Sequence, residues 1–417
     1  MTPETPPGIG PRHIDAAMEG VRASGRLAHR QDRQRRSRDE FDRRHRAPGL
    51  VPGRARPPAY RGLDLLVLLI RKLVPLVSLL SGLVLVAAAG GTQPGENGRI
   101  VFERLRFQNS PISGDLFTMN PDGTDAKRLT HPPNGTEDTH PDWSPDGRRV
   151  VFARQPPKGA YSIWIINADG GHLHRISPPC APGREIPVCP ADDSWAVWSP
   201  DGTHLAFNRL TGPIRPKSPT INNDTAIYKD EIVITDRNGR HARTVVWLGP
   251  YRGDPQAPAW SPNGKRLVFV GKFMTSKTNG SGCECRRLYV INADGTGMHP
   301  ITRPGLRPGG RPDWSPDGTK ILFRTHPTDD SSGVNSDLYT VHPDGTGLHR
   351  VTHYGQAGER VIEGSYSPDG HFIVFETSHG AVGSSLPDVF ITSAGTGQKQ
   401  VTRTKNFEDD ADWGPKP

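Results

Sequence analysis

The chain has 417 residues, more than one ordinary core of about 100 to 200 residues needs, and only 33% of them are hydrophobic, which excludes a polytopic membrane protein. Residues 1–72 hold 16 of the 52 Lys+Arg and 8 of the 44 Asp+Glu, so the whole net charge of +8 sits there and the remainder balances to zero. That excludes a basic nucleic-acid-binding body, and Gly 47 with Pro 42 marks the chain as rich in turns.

Residues 1–62 read as a solvated, disordered Arg-rich arm, the one part with the electrostatics for anionic lipid or nucleic acid. Residues 63–91 read as a transmembrane or signal-anchor segment. From Leu73 to Gly91 there are 19 residues without a charge, close to the roughly 20 that span a bilayer, and Arg71 and Lys72 precede them. The positive-inside rule keeps the arm cytoplasmic and sends the rest outward, giving a single-pass cell-membrane protein. Ala87-Ala88-Ala89 also fits a signal-peptidase site, so secretion after cleavage near Ala89 stands as the alternative. The four cysteines allow three pairings. Cys180 and Cys189 flank a Pro-rich loop that a disulfide would close, Cys283 and Cys285 form a C-x-C, and the set lacks the spacing of a structural zinc site.

The remainder is a repeat. PDWSPDGRRVVFAR from Pro141, AVWSPDGTHLAFNR from Ala196, PAWSPNGKRLVFV from Pro258, PDWSPDGTKILFRT from Pro312 and GSYSPDGHFIVFET from Gly364 are five copies. A sixth is split between GRIVFER from Gly98 and ADWGPKP from Ala411. The repeat phenylalanines Phe102, Phe152, Phe207, Phe269, Phe323 and Phe375 stand 50, 55, 62, 54 and 52 residues apart. Each copy continues into an N-A-D-G-like hairpin and a short fourth segment such as KRLT ending at Thr130. In S-P-D-G, proline presets φ, Asp bonds back to the backbone and Gly supplies positive φ, so the four segments predict a four-stranded antiparallel sheet. One such sheet cannot bury both faces, whereas six set radially bury their aromatic faces on one another. The expected fold is therefore all-β: a six-bladed β-propeller over 92–417, its ring closed by the first strand and the last.

W-S-P-D-G followed by an apolar strand ending in Phe, then I/L-Y-x-x-N-A-D-G, resembles the WD40-like PD40 repeats of TolB-type propellers over about 320 residues. That resemblance implies an extracytoplasmic propeller that binds other proteins.

The repeated Trp143, Trp198, Trp260, Trp314 and Trp413, with Tyr366 in the same place, read as packing between blades, and the S-P-D-G aspartates read as turn formers. The loop before each aromatic is more informative, because an innermost strand leads it toward the central channel. Asp138, His140, Asp142, Asp193, Asp254, Asp313, Arg360, Glu363, Asp409, Asp410 and Asp412 are the candidate channel-mouth residues, with Glu137, Asp192, Arg311, Glu359 and Glu408 in comparable loops. Solvated rim charge, a mouth for a basic peptide or other extracytoplasmic protein, and a calcium site are the three readings of that set; no other cofactor is expected. G-x-S-x-G, H-E-x-x-H and Walker motifs are absent from the sequence. The expected function is a protein-interaction scaffold or ligand-sensing module, without nucleic acid at the propeller. A propeller hydrolase or lyase with a channel site is the alternative, and signalling inside by residues 22–61 is a third.

Overall fold

The computed structural model describes residues 92, 94–106, 112–179, 190–215, 227–248, 254–274, 284–325, 336–354, 360–378, 386–393, 396–404 and 406–417. The arm and the whole of the apolar segment, with the anchor-or-signal expectation, lie outside them, as do Cys180, Cys189, Cys283 and Glu359; of Cys285 only the backbone is described. The described residues all fall in one compact unit, Val86–Pro417. Among the described residues no helix is long and apolar enough to cross a membrane.

The described residues are all-β. The segment that opens the repeat forms β1 (Asn97–Arg106), β2 (Ser113–Met119) and the two-residue β3 (Lys127–Arg128). Five antiparallel sets follow in chain order: β4 (Glu137–Trp143) to β7 (His174–Arg175) through β5 (Arg149–Gln155) and β6 (Ser162–Asn167), then β8 (Asp192–Trp198), β9 (His204–Arg215), β10 (Ile227–Asp236) and β11 (Arg243–Trp247). Next come β12 (Asp254–Trp260), β13 (Arg266–Met274), β14 (Glu284–Asn292) and β15 (His299–Pro300), and then β16 (Pro308–Trp314), β17 (Ile321–Thr325), β18 (Asp337–Val341) and β19 (His349–Arg350). The last set is β20 (Arg360–Tyr366), β21 (Ile373–Ser378), β22 (Asp388–Ser393) and β23 (Thr396–Gln400). The final strand, β24 (Phe407–Pro415), runs back to pair antiparallel with β1. One parallel bridge, Gly114 to Glu137, joins β2 to β4.

The S-P-D-G turns form as their chemistry requires. In the first, Gly147 N donates to the Ser144 carbonyl at 2.8 Å, Arg148 N to Asp146 Oδ1 at 3.1 Å and Arg149 N to Ser144 Oγ at 2.9 Å. Gly147 has φ 63°, and a Cβ there would meet the Pro415 carbonyl at 2.3 Å, so glycine is demanded by conformation and by space.

Packing follows the repeat. The six phenylalanines are at most 1% exposed, and each pairs across the ladder from second to third strand: Phe102 with Phe117, Phe152 with Trp164, Phe207 with Val233, Phe269 with Tyr289, Phe323 with Tyr339 and Phe375 with Phe390. Full burial of one such ring stabilises by about 1.5–3 kcal/mol. Each apolar cluster joins one sheet to the next. Val197, Ile232 and Ile234 lie on Trp260, Leu267 and Phe269, and Val374 and Val389 lie on Phe102, Ile100 and Trp413. Val101 and Leu116 in turn lie on Trp143, Val150 and Phe152. The first strands make the same circuit: β4 touches β8, β8 touches β12, β12 touches β16, β16 touches β20, β20 touches β24 and β24 touches β4.

Candidate functional site

Seven residues lead up to and include each repeat aromatic, as in Glu137–Trp143 and Phe407–Trp413. In every one of these strands the pairing register slips once, for example between Thr139 and Asp142, between Ser194 and Val197, and between Gln256 and Ala259. Such a bulge inserts a residue and re-aims its side chain. At the fourth position His140, Trp195, Ala257 and Asp410 take φ of 51°, 56°, 50° and 54°, a left-handed conformation that is uncommon without glycine. Residues at this position meet across neighbouring strands. His140 stacks on Trp195 with ring centroids 3.5 Å apart, and its backbone N donates to Asp410 Oδ2 at 3.0 Å. The bulges thus line the inner circle with side chains.

Arg311 crosses that circle. From β16 it donates through Nη1 to the Pro141 carbonyl at 2.7 Å and through Nη2 to Asp142 Oδ1 at 2.6 Å, with Asp412 Oδ1 at 3.9 Å. Three carboxylates at the sixth position also stitch successive strands: Asp142 accepts from Trp198 N at 2.8 Å, Asp313 from Tyr366 N at 2.8 Å and Asp412 from Trp143 N at 2.9 Å. Thr92 enters beside them, its Oγ1 donating to Asp313 Oδ2 at 2.6 Å. A cavity of about 30 Å³, the size of one water, lies among Thr92, Asp142, Arg311, Asp313 and Asp412 and the aromatic side chains. Burial, followed by Asp412, pushes the Asp142 carboxyl up to about 8 against the opposing pull of Arg311. Burial takes Asp313 to about 6. For Arg311, burial is outweighed by Asp142 and Asp412, and its guanidinium titrates above the ordinary arginine range.

A second group gathers nearer the start of the strands. Asp409, Asp410 and Glu363 come within mutual electrostatic reach, together with Glu103 on β1, Glu137 on β4 and Glu376 on β21. Burial and then neighbouring Asp410 lift Asp409 to about 8. Burial is also the first cause for Glu103, Glu363 and Glu376, all held well above the ordinary carboxyl range. Asp410 differs. Burial raises it, but His140, the Thr139 hydroxyl (2.6 Å to Oδ2), the His140 amide and Arg311 together hold it below the usual range. Burial lowers the His140 imidazole, and Arg311 adds to that while Asp410 opposes it. Glu103 Oε1, Glu376 Oε2 and His140 Nδ1 are buried without a hydrogen-bond partner.

The sequence-selected residues divide between these groups and other places. Asp142, Asp313 and Asp412 surround Arg311; His140, Glu363, Asp409 and Asp410 belong to the second group. Asp138 and Asp193, at the second position, turn into their sheets: Asp138 forms a two-pronged pair with Arg154 at 2.5 and 2.7 Å, and Asp193 one with Arg209 at 2.8 and 2.9 Å. Glu408 does the same with Arg104 at 2.6 Å. Asp254 opens β12, and only its backbone is described. Arg360 opens β20, half-buried. The pattern of the first strands does not disclose Glu103, Arg324 and Glu376, which each follow a repeat phenylalanine; that shared offset was the available signal. Among the described residues no three His, Cys, Asp or Glu are arranged to hold a metal ion.

Residues 224–416 match the model of the TolB beta propeller domain, PD40. The repeats in that stretch are similar to the PD40 repeats of TolB-type propellers. TolB from Acinetobacter baumannii superposes with a TM-score of 0.55 at 18% identity over 78% of this chain and 68% of that one, a likeness of fold. An uncharacterized protein of Agrobacterium fabrum is 26% identical over 165 residues, 38% of this chain and 47% of the relative. An oligogalacturonide lyase of Pectobacterium atrosepticum is 22% identical over 185 residues, 43% of this chain and 45% of the relative. The chain therefore spans less than half the length of these curated relatives.

Proposed function

We propose that the chain is a six-bladed, TolB-like binding propeller, membrane-anchored through residues 73–91 or secreted. It acts outside the cytoplasm by engaging a partner protein or ligand at the axial mouth. The observation that carries this reading is the convergence of Asp409, Glu363, Glu376 and Glu103 on one small volume, with Glu103 Oε1 and Glu376 Oε2 left unpartnered. Buried carboxyls that repel one another retain protons, and an arriving cationic group favours their ionised forms. The partner group is accordingly a lysine- or arginine-bearing segment, and its binding releases protons. Tetralysine amide titrated calorimetrically into the full chain tests this. The expected result is saturable binding, tighter at pH 8.5 than at pH 6, with proton release into the buffer and loss of affinity in Asp409→Asn. Binding that is absent, or independent of pH and of Asp409, overturns the reading.

One observation favours the alternative, a hydrolase or lyase. His140 places Nε2 3.7 Å from Asp410 Oδ2 and leaves Nδ1 without a partner, the arrangement of an oriented proton acceptor. Turnover of polygalacturonate or of activated esters, abolished by His140→Gln, supports that reading; no turnover of either removes it.

A further inference from the structure

Three arginines of the channel wall take no part in the network around Arg311. Arg286 lies on β14, Arg324 on β17 and Arg360 on β20, in three successive sheets of the circuit. Pairing brings them to the same end of those sheets. Arg286 faces Lys272 and Arg360 faces Ser378, each three residues past the repeat phenylalanine, while Arg324 stands one residue past Phe323 and faces Gly309. All three are half-buried, and among the described residues no guanidinium of the three has a hydrogen-bond or ion-pair partner. Arg324 Nε is fully buried and unsatisfied.

The backbone beneath Arg324 has been cleared for it. Gly309 and Gly310 stand where the other strands carry side chains, and a Cβ on Gly309 would lie 3.2 Å from Arg324 Nη2. Gly310 has φ 70° and lies near both Arg324 and Glu363 Oε1. Arg324 feels the charge of Glu363 and Asp409 on one side and of Arg360 and Arg286 on the other, yet it makes no hydrogen bond to either carboxylate. Burial holds Glu363 and Asp409 above the ordinary carboxyl range, which weakens their hold on the guanidinium charge. Unpaired guanidiniums in a partly dry wall are costly unless an anion completes them.

We infer that Arg286, Arg324 and Arg360 form an anion subsite that takes a carboxylate or phosphate group of a ligand entering the channel. The planar donors of arginine suit either group, and three of them on separate sheets fix its position. The three arginines are not among the side chains proposed to receive a cationic group, and variants of each set test the two readings separately. Together they describe a ligand with an anionic end over β14, β17 and β20 and a cationic end toward β1 and β24.

The test titrates inorganic phosphate and, separately, glutarate into the full chain at pH 7, followed by calorimetry and by thermal shift. One or both should bind saturably. The affinity should fall at least tenfold in Arg324→Gln and in Arg360→Gln and stay unchanged in Arg148→Gln, which removes an equal charge from an exposed turn. Phosphate alone binding identifies a phosphoryl ligand, and glutarate alone a carboxylate; either supports the subsite. If Arg324→Gln does not fold, Arg286→Gln and Arg360→Gln carry the comparison. No saturable binding of either anion by the unmodified chain, or equal loss in Arg148→Gln, overturns the inference. Tetralysine titration of the same variants should be undiminished, which separates failure here from failure of the cation reading.

Discussion

Arg311 on β16 donates to Asp142 on β4, although β4, β8, β12 and β16 pack in succession and the two strands belong to different sheets. One guanidinium therefore holds opposite sides of the circuit together. Replacing it by methionine leaves Asp142 close to Asp412 with no cation between them, and breaking such a pair costs about 3–5 kcal/mol. Urea unfolding of Arg311→Met should show a loss of that order. Arg311→Lys should recover only part of it, because one ammonium cannot reproduce both the carbonyl and carboxylate contacts. Full stability in Arg311→Met would show that the strut does not hold the circuit.

Stability should fall as pH rises through about 8. Asp142 and Asp409 titrate near 8 when folded, far above the ordinary carboxyl value, so the folded state binds more protons than the unfolded one between those limits. The associated stabilisation is complete below the unfolded value and is lost as pH climbs through the folded one. Melting temperatures between pH 6 and 9 should decline, and the double variant Asp142→Asn, Asp409→Asn should flatten the decline. An unchanged slope in the double variant would count against this assignment.

Gly414 lies at the seam where β24 meets β4. A Cβ at that position would stand 2.3 Å from Trp143 Cγ, inside the packed ring. Gly414→Ala should therefore destabilise by about 1–3 kcal/mol through overpacking, read from chemical denaturation. Gly397, where nothing lies within 4 Å, is the comparison for strained glycines without a clash, since its φ of 69° disfavours alanine by conformation alone.

Trp413 is 3% exposed and packs with Phe102, Ile100 and Val374. Trp413→Ala should cost about 3–5 kcal/mol. Removal of 411–417 should lower the melting temperature further, since it also deletes the Asp412 acceptor for Trp143 N. Unchanged melting after truncation would argue against closure through β24.

The repeat pattern disclosed the strands because its signals are local: S-P-D-G demands a turn, and an aromatic at a fixed offset demands a partner face. The pairing of β24 with β1 was legible for the same reason, each half of the split copy lacking what the other holds. The site was harder to read. Asp138 and Asp142 look alike in sequence, four residues apart, yet the bulge at His140 sends one into its sheet to Arg154 and the other to the centre. Glu103 and Glu376 belong to second strands, and their meeting with Asp409 depends on how sheets far apart in the chain approach one axis. No spacing rule along the chain encodes that approach.

Because β1 waits for β24, the first of the described strands has an unpaired edge until residue 415 is made. Val101 can meet its own sheet mates early, but Trp413 and the acceptor at Asp412 arrive last. The nascent molecule is thus an open arc with an adhesive edge throughout its synthesis, and co-translational protection of that edge falls to whatever machinery meets the emerging chain.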